Sequence, residues 1–151
     1  MKRFPLLFLA VFTLLKVMVY PQETEETVYP PQAILNATFM GDIEMMKLIL
    51  KTNPDRDVRD ALGATALHIA IFRGNLEVIR ILLDYGFDIN AAASNGYTPL
   101  HYCVWLNKIE AARFLLLNNA DRNIKDNSGM TPLEKATKEA KRDMILALSR
   151  R

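Results

Sequence analysis

Residues 76–83 read Leu-Glu-Val-Ile-Arg-Ile-Leu-Leu, with Leu76, Val78, Ile79, Ile81, Leu82 and Leu83 forming the apolar face of a short helix that ends at Gly86. Gly and Asn tolerate the left-handed conformation that closes helices, and they recur at Asn53, Gly86 and Asn119, 33 residues apart. A second set of helix ends falls at Gly41, Gly74 and Asn107, on the same period. Thr65, Thr98 and Thr131 keep that spacing too and are expected helix N-caps, with hydroxyls that accept from the first free backbone donors. Pro99 and Pro132 follow at the first helical position, where a missing N–H costs nothing, and Ala66 stands in the earlier unit. Each period therefore holds two short helices.

Gly63, Gly96 and Gly129 repeat at 33, as do Leu67, Leu100 and Leu133. Repetition at this length signals stacked units, none of which buries its apolar face alone. Four units follow, at about 33–57, 58–90, 91–123 and 124–151. Ala70, Cys103 and Ala136 form a row of small residues that lets neighbouring helices approach closely. The last unit is more polar: Lys135 replaces the Ile69/Tyr102 position, Glu134 replaces a histidine, and 138–151 is rich in Lys, Arg and Glu, as a terminal cap would be.

The motif Gly-Tyr-Thr-Pro-Leu-His at 96–101, its variant Gly-Ala-Thr-Ala-Leu-His at 63–68, and the run from Gly74 to Asn90 resemble the ankyrin repeat. The resemblance covers roughly 33–151. It implies an all-α solenoid of about four ankyrin units, each a helix-turn-helix with a β-hairpin loop. It also implies that His68 and His101 hydrogen-bond neighbouring backbone and tie one unit to the next, and that the function is protein binding without catalysis.

The first twenty residues are of another kind. Lys2 and Arg3 precede an apolar run from Phe4 to Leu15, Lys16 interrupts it, and Val17–Tyr20 resumes it. The run has about the length of a signal-peptide core and is short for a membrane span. Export with cleavage, an uncleaved anchor tethering the chain to a membrane, and a buried helix are the alternatives; the first is favoured. Residues 21–32, with two proline sites and three glutamates, read as a linker. An export segment on an ankyrin array looks bacterial. The expected location is then periplasmic, secreted or membrane-anchored outside the cytoplasm, with an envelope enzyme or a toxin as the kind of partner.

Charge narrows the partners. The chain carries 19 basic and 17 acidic residues; without Lys2, Arg3 and Lys16 the balance from residue 21 onward is −1, which gives nucleic acid no net attraction. A single cysteine, Cys103, excludes an internal disulfide and a cysteine-based zinc site, and its apolar context points to a buried thiol. Ser94, Ser128 and Ser149 lie in turn or terminal contexts, and no G-x-S-x-G, phosphate loop or H-E-x-x-H pattern occurs. No cofactor, metal or small-molecule substrate is expected.

Candidate contact residues lie where the units vary. Phe39, Phe72 and Trp105 occupy one position in three successive units, beside Met40, Arg73 and Leu106. Stacking would turn them into an aromatic row of interaction hot-spot composition, or into rings that fill gaps between units. At the hairpin tips Leu62 and Tyr97 are the expected contacts. Ala93 replaces the turn aspartate kept at Asp60 and Asp126, which should loosen the central hairpin. Arg122 replaces the apolar residue matched by Ile89 and either faces solvent or makes a specific contact.

Overall fold

A computed structural model describes residues 29–149. The apolar segment 1–20 and most of the linker lie outside the described residues. Among the described residues there are eight helices and no strands: α1 (Ala33–Met40), α2 (Ile43–Lys51), α3 (Ala66–Arg73), α4 (Leu76–Asp84), α5 (Pro99–Trp105), α6 (Ile109–Leu117), α7 (Pro132–Lys138) and α8 (Arg142–Ser149). None is long and apolar enough to cross a membrane.

Local chemistry sets these boundaries. Thr65, Thr98 and Thr131 are the N-caps of α3, α5 and α7, with proline at the first position of the last two. Two of the second helices are capped by side chains as well: Asp42 and Asn75 each accept a backbone N–H, from Met45 at 2.9 Å and from Val78 at 3.1 Å, whereas Lys108 ahead of α6 makes no such bond. The seven helices from α1 to α7 are each followed by a residue with positive φ: Gly41, Asn53, Gly74, Gly86, Asn107, Asn119 and Ala140. Ala140, at φ 53°, is the one without a glycine or asparagine side chain suited to that region. Ala140→Gly should therefore raise stability by about 1 kcal/mol, read as a higher urea midpoint at unchanged slope. An unchanged midpoint would mean that the backbone there relaxes without cost.

First helices pack on first helices (α1 on α3, α3 on α5, α5 on α7), and each second helix packs behind its own first helix. The small row works as its size requires: Ala70, Cys103 and Ala136 are fully buried at the crossings. Val78, Ile79 and Leu82 fill the space behind them, whereas Leu76, placed by periodicity on the same face, is exposed at the first turn of α4. Burial pushes the Cys103 thiol far up from its ordinary range, so it is a packing residue and not a nucleophile.

The loops are tight turns. Asp60 N–H donates to Ala64 O and Gly63 N–H to Asp60 O, both at 3.0 Å, and the same pair of bonds recurs at 93–97 and 126–130. Ala93 does not open the central turn, because the Asn95 side-chain oxygen accepts the Tyr97 N–H at 3.0 Å in place of a turn carboxylate. Arg122 makes a specific contact: its guanidinium donates to Leu148 O at 2.9 Å, at the end of α8.

A groove on the first-helix face

Two histidines organise the units beneath this face. Backbone N–H of Thr65 donates to His68 Nδ1 at 3.2 Å, and the Thr65 hydroxyl lies 2.9 Å from the same nitrogen. An Nδ1 that accepts a backbone N–H carries no proton, so the hydroxyl donates to it as well. The proton sits on Nε2, which donates to Tyr97 O of the next unit at 2.9 Å. His101 repeats this with Thr98 and Met130 O, at 3.2, 2.9 and 3.0 Å. The threonine hydroxyl is thus a donor to histidine, beyond the acceptor role that capping alone predicts.

Burial first, against the opposing pull of the Tyr97 carbonyl, lowers His68 from the usual 6.5 to about 4, and His101 moves in the same direction. Between those values the unfolded chain binds protons that the folded chain refuses, so stability is full above about pH 6.5 and lost as pH falls toward 4. Unfolding in urea should show a loss of about 2 kcal/mol between pH 7 and pH 5 from His68 alone. His68→Gln should remove most of that slope; an unchanged slope would exclude His68 as its source.

Above the histidines lies the aromatic row. Phe39, Phe72 and Trp105 are 48%, 50% and 52% exposed, so all three face solvent to the same degree along the stacked first helices. With Leu62, Asp60, Ala64, His68, Ile69 and Tyr102 they line one groove of about 250 Å³ whose wall is overwhelmingly apolar. Met40 and Leu62 are strongly exposed at 76% and 70%. Arg73 is exposed, with its guanidinium carbon 5.1 Å from the Phe39 ring centroid.

Two expected contact residues sit otherwise. Tyr97 is half-buried: its ring stacks on His101 at 5.5 Å, meets Tyr102 edge-on at 6.1 Å, and carries the Lys135 ammonium 4.2 Å from its centroid. Leu106 is half-buried against the core, because it follows the last turn of α5 and turns inward. Tyr102, which the repeat register matches to Asn36, Ile69 and Lys135, belongs to the groove. It is 9% exposed and holds Trp105 edge-on, with centroids 5.6 Å apart.

The last unit holds the end of α5 beside the groove. Lys141 Nζ donates to Val104 O at 2.5 Å and to Trp105 O at 3.1 Å, which satisfies carbonyls at the open end of α5. Asp126, buried in the final hairpin, holds Lys135 Nζ on Oδ2 at 2.5 Å. Burial alone would raise its carboxyl; the Lys135 ammonium, the Ser128 hydroxyl and two backbone N–H groups outweigh that and hold it well below the usual carboxylate range.

A family model for ankyrin repeats, three copies, matches residues 33–126. No curated relative matches the chain. The matched span takes in the first three of the stacked first helices, both buried histidines and the aromatic row, and with 94 of the 151 residues inside it the chain belongs to the ankyrin-repeat family.

Proposed function

We propose that the protein is a binding scaffold whose first-helix face docks a protein partner across Phe39, Phe72 and Trp105, with no chemistry of its own. Ankyrin repeats are generally protein–protein interaction modules. The observation that carries the finer reading is the groove itself: three aromatic rings, one per unit, each about half exposed around a single apolar hollow. Large side chains left in water at such a density mark interaction sites rather than ordinary surface. The repeat framework is rigid and already formed, so docking costs little ordering. The Lys2/Arg3 pair ahead of the Phe4–Leu15 run supports action outside the cytoplasm. A retained segment would make the protein a membrane-tethered adaptor; a cleaved one would leave a free inhibitor of an envelope enzyme or toxin.

A photo-crosslinking amino acid placed at Phe72 tests the site. A discrete adduct is expected there, and none at Leu117, which is 81% exposed at the end of a second helix. Adducts at Leu117 and none at Phe72 would put the contact on the opposite layer.

A further inference from the structure

The hairpin aspartate occurs twice, and in only one unit is it neutralised. In the last unit Asp126 Oδ1 accepts from the N–H groups of Ser128 at 2.8 Å and Met130 at 3.1 Å, while Oδ2 holds Lys135 Nζ. In the second unit Asp60 Oδ1 accepts in the same way from Leu62 and Ala64, both at 2.8 Å. Its Oδ2 takes no hydrogen bond or ion pair within the described residues, since position 69, which corresponds to Lys135, is Ile69. The remaining hairpin carries Ala93 opposite Tyr102, so neither charge is present. A carboxylate and an ammonium thus occur as a pair, or not at all, except at Asp60.

Asp60 also lines the aromatic groove, with Phe72, Trp105 and Tyr102 around it. Its charge reaches into the groove: burial, and after it the Asp60 carboxylate, push the Tyr102 phenol upward. A carboxylate beside several ring faces favours a cation, and the aliphatic walls suit a long methylene stem.

Building on the first-helix face as the docking site, we infer that the partner inserts a basic side chain, lysine or arginine, into this groove, with its charged head on Asp60 Oδ2 and its stem against Ile69, Phe72 and Trp105. The incoming cation takes the place in the second unit that Lys135 takes in the last. The two sites differ in what lies over the cation: Tyr97 supplies the ring over Lys135, whereas Tyr102 and Trp105 supply it in the groove.

A random heptapeptide library selected on the full chain tests this. Enriched peptides should share a lysine or arginine within an apolar context. Their affinity should fall about fivefold or more for Asp60→Asn, which keeps an acceptor for the turn, and should weaken with added salt. Ile69→Lys should abolish binding while leaving the chain folded, because it supplies internally the partner that Lys135 already is for Asp126. Peptides that need Phe72 and Trp105 but carry no basic residue, or that ignore Asp60→Asn, would overturn the inference and leave the docking face standing. Peptides that bind without Phe72 and Trp105, or no enrichment at all, would remove both.

Discussion

Gly96→Ala is expected to cost about 3 kcal/mol or more of stability, several times the cost of the same change at Gly129. Both glycines close a hairpin at nearly the same positive φ, 79° and 76°, so the conformational penalty for a side chain is alike, about 1 kcal/mol. What differs is the next unit. A Cβ on Gly96 would stand 2.5 Å from Asn127 N and overlap the Asn127 side chain. Asn127 cannot retreat freely, because its N–H donates to Asn95 O at 3.2 Å and its amide to Ser94 O at 3.0 Å. Gly63 repeats the situation: a Cβ there would stand 2.7 Å from Ser94 N, which is hydrogen-bonded to Leu62 O at 3.1 Å. Gly129 has nothing within 4 Å, so only the backbone penalty applies. Urea unfolding of Gly63→Ala, Gly96→Ala and Gly129→Ala decides the matter. Equal losses at all three would show that the hairpins yield and that the close approach carries no energy.

The second large effect is on binding. Replacing Phe39, Phe72 and Trp105 together by alanine should weaken the partner captured at Phe72 by about a hundredfold or more, the range of a lost hot spot. Thermal stability should move by only a few degrees, since each ring is half in water already and its loss opens no enclosed cavity. The small stabilising contacts that would go are the Arg73–Phe39 stack and the edge-on contact of Tyr102 with Trp105. Titration of the triple variant, with its melting temperature taken alongside, separates the two roles. A large drop in melting temperature with binding intact would make the rings packing elements.

Much of this architecture is legible before folding because a repeat converts spacing into adjacency. Thr65, Thr98 and Thr131 announce helix starts, and the Gly/Asn positions announce helix ends, since both act through local backbone chemistry. The aromatic row is legible for a related reason: residues 33 apart share one rotation about their helices, so the exposure of Phe39, Phe72 and Trp105 agrees to within a few per cent. What sequence could not supply depends on contacts between units. Lys135 reads as a solvated charge on a terminal cap, and only the fold brings it onto Asp126 and over Tyr97. Tyr97 looks like a free hairpin residue until His101 and Tyr102 close around it. The loss of a turn aspartate at Ala93 suggests looseness, yet Asn95, two residues on, restores the bond. Ala140 carries no left-handed signal in its residue type, and only its place 33 residues after Asn107 marks it as a helix end.

From the second unit onward, the third residue of the first helix is His68, His101 and then Glu134; α1 carries Leu35 there. Histidine has two nitrogens at opposite edges of its ring, so it reaches back to its own threonine and forward to the next hairpin. Glutamate at the same place only reaches back: one oxygen, Oε2, takes both the Thr131 N–H at 2.7 Å and its hydroxyl at 2.9 Å. That position therefore works as punctuation. Histidine ties its unit to the next, since its buried N–H must find a carbonyl there; glutamate, satisfied at its own helix end and open to water, makes no forward tie.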